Sequence, residues 1–298
     1  MDIKSLLPSS QQTQQLHHHY IFDKLQKPST TMLFLILLLT TTFLCTLSNA
    51  SPPAKRAILT QVANFGDNPA GVKMYVYVPD AVVSSPGIVV TLHGASGNAQ
   101  QQFQSTPYAN LAEKYGFIAI YPECPQGAWD ATSSKSRLHE GGGASQSIAN
   151  MAKYTISTYK ADANKVFVSG VSSGGTMANT MAGTYPDVFK GVIIYSAGSS
   201  GDLRSMYPGY TGSYPKIQLY LGAEDTIIGS SAFNTTLAAW SPLLGYDSTP
   251  DQVLVNTPVS SWTTYVLGSK LEGIWAQGVG HPVSTQGEED MKWWGFSW

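Results

Sequence analysis

The sequence predicts an α/β fold in which helices cover both faces of a mostly parallel central sheet. Short apolar runs recur along the chain, and segments with apolar residues at helical spacing separate them. This is typical of buried parallel strands joined by crossover helices. The runs predicted as strands are residues 73–78 at an edge of the sheet, followed by 88–92, 117–121, 166–169, 192–195, 217–221 and finally 271–276. The predicted helices are residues 108–115, 145–159, 175–185, 231–240 and 288–294.

The first fifty residues have the features of a targeting segment. Residues 32–47 form an apolar run that is too short and too rich in threonine for a comfortable membrane span. The small residues Ser48 to Ala50 that follow resemble a signal-peptidase site. We therefore expect residues 1–50 to be a leader with a signal peptide, with Met32 as a candidate true start. The protein would then be secreted and have no stable membrane association, and an uncleaved signal anchor is the alternative.

Residues 51–56 end in the dibasic pair Lys55-Arg56. This pair marks either a short pro-segment that a protease removes or an exposed pair of solvated side chains. The remaining residues 57–298 are enough for a single catalytic domain. No internal repeat, heptad pattern or linker indicates a second module.

Composition narrows the functional classes. Charged residues make up 12% of the chain and the formal net charge is −2, so a nucleic-acid partner is not expected. Cys45 lies in the leader, which leaves Cys124 alone in the mature chain and allows no internal disulfide. The sequence has no Cys/His zinc pattern and no phosphate-binding Gly-Lys-Ser/Thr motif. We expect a monomer that needs neither metal nor cofactor.

The strongest chemical signal is a G-x-S-x-G motif at residues 170–174, between a predicted strand and a predicted helix. This order matches the nucleophile elbow, in which a strained turn exposes a serine. The flanking glycines let the strand and helix backbones pass closely. The motif therefore predicts Ser172 as a nucleophile and refines the fold class to an α/β-hydrolase fold. The alternative is that Ser172 is an ordinary turn serine.

A serine hydroxyl needs a general base, and in this fold the acid and the histidine follow the serine in sequence. His281 is the one histidine after Ser172, and it lies in a glycine-rich loop after the last predicted strand. Asp225 directly follows the strand at 217–221 and is the predicted orienting acid, with the adjacent Glu224 as the alternative.

Acyl transfer also needs two backbone donors for the developing oxyanion. One predicted donor is the amide of Ser173, the residue after the nucleophile. The other is the amide of Ala95, in the segment His93 to Gly97 that follows the strand at 88–92. Because His93 precedes the nucleophile, we expect it to shape this loop rather than act as a base.

Other residues are candidates for substrate contact or modification. Aromatic side chains stack on sugar rings or aromatic acyl groups, although large aromatics usually lie in the core. The candidates are Trp129, Tyr108, Trp240 and Trp275. His139 precedes a run of three glycines and either lines the cleft or caps a loop. Asn234 begins the one clear glycosylation sequon of the mature chain, Asn234-Thr235-Thr236.

Further motifs accompany the serine motif across residues 57–298. They are QV at 61–62, FGDNP at 65–69, YGF at 115–117, YP at 121–122, WD at 129–130, GGG at 141–143, SIANM at 147–151, YPDVF at 185–189, YPGY at 207–210 and IWAQGVGH at 274–281. With these motifs the chain resembles the fungal acetylxylan esterases and feruloyl esterases of carbohydrate esterase family one, which are similar to the PHB depolymerase-like esterases. The resemblance supports the same serine, histidine and aspartate.

The resemblance implies a secreted enzyme that releases acetyl or hydroxycinnamoyl groups from xylan without a cofactor. Acetylated xylan is the expected substrate, and a feruloyl esterase is the alternative. An inactive protein that only binds cell-wall polysaccharide is the alternative from another class. The chain departs from the family pattern because Ala128 and the cysteine-free segment 196–201 replace a cysteine pair that relatives often carry. The segment 201–206 also looks shortened.

Overall fold

The structure is a computed structural model, and it describes residues 58–198 and 201–296. The predicted leader and pro-segment lie outside the described residues. The strands are β1 (Thr60–Val62), β2 (Lys73–Tyr77), β3 (Ile88–Leu92), β4 (Ile118–Glu123), β5 (Val166–Val171), β6 (Gly191–Tyr195), β7 (Lys216–Gly222), β8 (Gln252–Val255), β9 (Thr263–Gly268) and β10 (Leu271–Ala276). The helices are α1 (Ala99–Ser105), α2 (Tyr108–Tyr115), α3 (Ala144–Tyr159), α4 (Ser173–Thr184), α5 (Ser231–Leu244) and α6 (Glu288–Trp294), with a 3-10 turn at Arg204–Met206.

The ten strands of the described residues form one sheet in the order β1-β2-β4-β3-β5-β6-β7-β10-β9-β8. The six strands from β4 to β10 in this order pair in parallel, which confirms the predicted mostly parallel sheet. Antiparallel strands extend both sides, namely β2 and β1 on one side and β9 and β8 on the other.

The prediction that residues 73–78 form an edge strand is wrong. β2 is second from the edge because β1 pairs with it antiparallel, with Thr60 opposite Val76. The sequence pattern did not reveal β1, which has only three residues. It also missed β8, whose residues are all exposed, and β9, whose burial is partial. Strands of this kind lack the continuous apolar run that burial on both faces produces.

Two apolar layers cover the sheet, one on each face. Successive residues of a strand point to opposite faces, so Val90 and Ile194 lie in one layer while Val89 and Ile193 lie in the other. The first layer includes apolar side chains of α3, α4 and α5, and the second includes those of α2 and α6. All four strand residues are fully buried. This double burial explains why the interior strands read as uninterrupted apolar runs, and it confirms the predicted helices on both faces.

The carboxyl ends of the parallel strands carry the polar loops of the site. His93 follows β3, Ser172 follows β5, Ser196 follows β6, Asp225 lies just beyond β7, and His281 lies in the loop after β10. Because these strands run in the same direction, the loops that follow them meet at one edge of the sheet.

Candidate active site

Ser172 lies on a tight turn between β5 and α4. Its backbone angles are φ 55° and ψ −119°, a strained conformation for a residue with a side chain. A Cβ on Gly170 would lie 2.2 Å from the carbonyl oxygen of Gly174, and one on Gly174 would lie 2.3 Å from the carbonyl oxygen of Leu92. Only glycine therefore fits at these two positions, and the close packing of α4 against β3 and β5 holds the serine in place.

Ser172, His281 and Asp225 form a continuous hydrogen-bonded chain. The Nε2 atom of His281 lies 2.8 Å from the Ser172 Oγ, and its Nδ1 atom lies 2.8 Å from the Asp225 Oδ2. The other carboxylate oxygen of Asp225 accepts hydrogen bonds from the amides of Ile227 and Ile228, at 3.0 Å and 2.9 Å. The structure thus brings together the three residues that the sequence singled out.

The environment of Asp225 favours its ionised form. Burial alone raises the pKa of this carboxyl, but the Ile228 amide, the His281 ring and the Ile227 amide outweigh burial and hold it below its ordinary value. An ionised Asp225 accepts the Nδ1 proton of His281 and so leaves Nε2 free to accept the Ser172 proton. The arrangement is suited to nucleophilic attack by Ser172 with His281 as general base.

Both predicted oxyanion donors border Ser172. A Cβ built on Gly94 would lie 3.9 Å from the Ser172 Cβ, so the loop that carries Ala95 lies against the nucleophile. Ser173 is the first residue of α4, where backbone amides have no partner within the helix. Among the described residues, neither the Ala95 amide nor the Ser173 amide donates a hydrogen bond. Both donors are therefore available to a developing anion.

A turn at residues 124–129, which we call the clamp turn, fastens the two donor segments together. The indole Nε1 of Trp129 donates to the carbonyl oxygen of His93 at 2.8 Å, and the Trp129 amide donates to the Ser173 Oγ at 2.9 Å. The Ser96 amide donates to the carbonyl oxygen of Gly127 at 2.6 Å. Sequence reasoning missed this role, although the Trp-Asp motif marked the position.

His93 completes the clamp turn from inside the fold. Its Nδ1 atom lies 2.7 Å from the carbonyl oxygen of Gly94, and its Nε2 atom accepts the amide of Cys124 at 3.1 Å. Burial lowers the pKa of His93, and the neutral ring has one donor and one acceptor nitrogen, as these two partners require. His93 therefore shapes the loop that holds Ala95.

Three aromatic residues do not offer the stacking faces that we expected. Trp129 is only 6% exposed because the clamp turn encloses it. Tyr108 is fully buried in the layer with α6, where its hydroxyl donates to Asp290 at 2.8 Å. Trp240 of α5 is fully buried and donates to the side chain of Asn179 at 2.8 Å. The prediction of substrate contact is wrong for these residues, since core packing uses their rings.

His139 lies far from Ser172. Its Nδ1 donates to the carbonyl oxygen of Thr184 at 2.7 Å, and its ring stacks on Tyr207 at a centroid distance of 3.6 Å. Thr184 is the last residue of α4, whereas Ser172 precedes the first. A helix of this length spans roughly 18 Å. His139 therefore fixes a loop at the opposite end of α4, which agrees with the loop-capping alternative and not with a place in the cleft.

The loop that carries His281 is anchored to β6 and α6. The Val283 amide donates to the Ser196 Oγ at 2.8 Å, and the Gln286 amide donates to the Tyr195 hydroxyl at 2.9 Å. Tyr195 in turn donates to Asp290 at 2.5 Å. Burial raises the pKa of Asp290 to about 7, against the opposing effect of its hydrogen-bond donors. Nothing in the sequence pattern indicated this buried carboxyl on α6.

Neither a metal-binding cluster nor a membrane-spanning helix occurs among the described residues. Residues 58–198 and 201–296 contain no group of three or more His, Cys, Asp or Glu side chains placed to hold a metal ion. No helix in that part of the chain has the length and hydropathy to cross a membrane.

Comparison with known proteins identifies the family. Residues 72–209 match the model of the Esterase PHB depolymerase family. Acetylxylan esterase A of Aspergillus ficuum is 43% identical over 282 residues, which cover 83% of this chain and 93% of that protein. Probable acetylxylan esterase A of Aspergillus fumigatus is 42% identical over 290 residues, covering 84% and 78%. The chain belongs to the acetylxylan esterase family.

A solved structure in the acetylxylan esterase family gives the same answer for the fold. The acetyl xylan esterase from Aspergillus awamori superposes with a TM-score of 0.79 at 41% identity, covering 80% of this chain and 100% of that one. The predicted α/β-hydrolase fold, the esterase class and the resemblance to acetylxylan esterases are all confirmed.

Proposed function

We propose that this protein is a secreted acetylxylan esterase that removes acetyl groups from xylan through an acyl-enzyme formed on Ser172. The observation that carries the proposal is the hydrogen-bonded chain of Ser172, His281 and Asp225, with both contacts at 2.8 Å. The acetylxylan esterase names of relatives above 40% identity support acetylated xylan as the substrate.

In the first half of the reaction, Ser172 Oγ attacks the carbonyl carbon of the acetyl group while His281 Nε2 takes the hydroxyl proton. The negative charge moves to the carbonyl oxygen, where the amides of Ser173 and Ala95 donate to it. Asp225 stabilises the imidazolium that forms. The bond to the sugar oxygen then breaks, and His281 returns the proton to that oxygen and frees the polysaccharide hydroxyl.

In the second half, a water molecule attacks the acetyl-Ser172 ester. His281 accepts one proton of this water, and the same two amides stabilise the second tetrahedral intermediate. Its collapse returns the proton to Ser172 Oγ and releases acetic acid, which ionises in solution. Each step uses only side chains and amides that border Ser172, so the mechanism requires no metal or cofactor.

The proposal includes the route by which the protein leaves the cell. A leader over residues 1–50 would direct secretion, and trimming after Lys55-Arg56 would leave a single esterase domain at residues 57–298. Exposure of Asn234 on α5 agrees with its modification in a secretory pathway. We propose that the mature enzyme is a monomer.

An acyl-substrate panel tests the activity. Protein expressed from Ala57 onward should release acetate from acetylated xylan and cleave 4-nitrophenyl acetate faster than methyl ferulate. The Ser172→Ala variant, purified in parallel, should form no product burst. Faster cleavage of methyl ferulate would assign the protein as a feruloyl esterase. Binding of xylan without turnover would assign it as a polysaccharide-binding protein.

A further inference from the structure

A groove with a cavity volume of about 560 Å³ lies between α5 and strands β9 and β10. Its floor is aromatic: Phe233 of α5 packs over Gly273, where a Cβ would lie 2.6 Å from the Phe233 ring. The rings of Tyr265 and Trp275 meet Phe233 edge-on, at centroid distances of 5.8 Å and 5.2 Å. We call this feature the aromatic groove.

The chemistry of the aromatic groove suits a neutral carbohydrate. Tyr265 and Trp275 are only partly buried, so parts of their rings stay exposed. The remaining lining residues supply apolar surface and uncharged polar groups, among them Ser231, Asn234, Leu237, Ser248 and Pro250. None of these side chains is charged. Aromatic faces that pack against the C–H faces of sugars, together with a few hydroxyl and amide groups, fit a neutral saccharide rather than an ion.

A carbohydrate attachment point belongs to the aromatic groove itself. Asn234 lines it, is exposed, and begins the sequon Asn234-Thr235-Thr236. A glycan on Asn234 would start inside the groove, and attachment gives its first sugars a high effective concentration there. Contacts that would be too weak to bind a free sugar are then sufficient to keep the attached sugars in the groove. Thr236 is fully buried, so glycan transfer must precede the packing of α5.

We propose that Asn234 carries an N-linked glycan whose first sugars pack in the aromatic groove against Trp275 and Tyr265. The glycan then covers apolar surface that water would otherwise contact, and it pins the start of α5 to β9 and β10. This assignment concerns stability and surface protection, and it does not depend on the esterase activity.

Residue-specific oxidation tests the proposal. The full chain is secreted from a eukaryotic host as wild type and as Asn234→Gln, and peptide mass spectrometry reports the glycan on Asn234. Hydroxyl-radical footprinting then measures oxidation of Trp275 and Tyr265, which should be about threefold slower in the glycosylated protein because stacked sugars shield both rings. Tyr159 on α3, which is also partly buried and lies outside the groove, should be oxidised equally in both proteins.

A second comparison separates packing from mere attachment. The glycan should raise the melting temperature in the wild-type background, and this gain should be lost when Trp275→Leu removes the stacking face. Esterase activity should be unchanged by Asn234→Gln. An unmodified Asn234 in the secreted protein overturns the proposal. Equal oxidation of Trp275 with and without the glycan, or an equal melting-temperature gain in the Trp275→Leu background, also overturns it.

Discussion

Hydrogen bonds to neighbouring groups fix the orientation of the Ser172, His281 and Asp225 side chains. The Ser172 hydroxyl meets one nitrogen of His281, and Asp225 meets the other. Two backbone amides, from Ile227 and Ile228, bind the remaining oxygen of Asp225 and so fix which carboxylate oxygen faces the ring. Orientation of the imidazole therefore depends on a carboxylate whose own orientation is set by the backbone.

We predict that Asp225→Asn lowers kcat by about 10⁴-fold. The two isoleucine amides need an acceptor, so the amide oxygen of the asparagine turns toward them and its NH₂ group faces His281. The ring then carries its proton on Nε2 and cannot accept the Ser172 proton. Steady-state kinetics on 4-nitrophenyl acetate measures the loss.

The matched control for Asp225→Asn is Glu224→Gln, which alters the neighbouring exposed carboxylate and should leave kcat unchanged. If Glu224→Gln is the damaging change and Asp225→Asn is tolerated, the orienting acid has been misassigned.

The glycine at position 174 gives a second prediction for a single residue. A Cβ there would meet the carbonyl oxygens of Leu92 and His93 at 2.3 Å and 2.5 Å. Backbone atoms cannot yield as a side chain does, so Gly174→Ala should cost about 3 kcal/mol or more of unfolding free energy and abolish activity. Urea denaturation measures the first effect.

Gly280→Ala provides the comparison, because the nearest atom to its Cβ is the Glu224 carbonyl oxygen at 3.8 Å. This substitution should change the unfolding free energy by less than about 0.5 kcal/mol. A loss for Gly174→Ala as small as the one expected for Gly280→Ala would show that the elbow has room for a methyl group.

Between elements, the clamp turn links the loop after β3 to the start of α4. Its contacts are with backbone atoms and the His93 ring of the first segment and with the Ser173 side chain of the second. The two proposed oxyanion donors come from parts of the chain nearly eighty residues apart, so their relative position depends on a third segment that touches both. Trp129 supplies two of these contacts.

We predict that Trp129→Phe lowers kcat by roughly tenfold or more while KM changes little. The variant keeps an aromatic ring but loses the donor to the His93 carbonyl, so the Ala95 amide shifts from the oxyanion. Complete loss of one such donor costs about 2.7–4 kcal/mol in the transition state, which sets the upper limit. Kinetics on 4-nitrophenyl acetate separates kcat from KM.

Trp240→Phe is a control of matching chemistry, because Trp240 also donates one 2.8 Å hydrogen bond from a buried indole, to Asn179. Both variants should lose about 2–4 kcal/mol of unfolding free energy, and only Trp129→Phe should lose kcat. A similar fall in kcat for Trp240→Phe would mean that general loosening, and not the clamp turn, is responsible.

At the scale of the whole molecule, the buried side chain of Asp290 is hydrogen-bonded to residues from three parts of the chain. Its carboxyl group accepts hydrogen bonds from Tyr108 of α2, Tyr195 of β6 and the Gly287 amide before α6. The same tyrosine of β6 accepts the Gln286 amide of the segment that follows His281. The charge state of this one buried group therefore affects the stability of the entire fold.

We predict that Asp290 lowers stability as the pH rises from about 4 to about 7. Its pKa is raised from 3.8 to about 7 by burial, so within this window the folded protein holds the proton and the unfolded chain has released it. Because the folded state binds more protons, the contribution of Asp290 to the unfolding free energy falls by about 1.4 kcal/mol for each pH unit of increase. The total loss is on the order of 4 kcal/mol. Below pH 4 the contribution is fully present.

The Asp290→Asn variant tests this pH dependence, because its side chain is neutral throughout. Urea denaturation between pH 4 and pH 7 should give a steeper loss of stability for wild type than for the variant. Parallel slopes for the two proteins would show that Asp290 is ionised in the folded state.

Much of the fold followed from local patterns. Interior strands buried on both faces produce continuous apolar runs, and helices α2 and α6 begin and end at the residues that the periodicity indicated. The sequence did not predict strands β1, β8 and β9, because exposure or short length removes the continuous apolar run. These strands are defined only by their pairing in the sheet. Helix α1 was not predicted either, because its seven residues include three consecutive glutamines and a single large apolar side chain and so show no apolar periodicity.

The sequence by itself determined the fold class, the family and the positions of Ser172, Asp225 and His281, because the elbow motif, the strand ends and the lone downstream histidine are local features. Only the tertiary structure decided what the aromatic residues and Asp290 do. A tyrosine or tryptophan in the sequence does not reveal whether its ring lies in the core or in a cleft. Segments distant in sequence form the environment of the ring. For this reason only the structure shows that Trp129 links the segment after β3 to the start of α4, and that Tyr108 and Trp240 lie in the core.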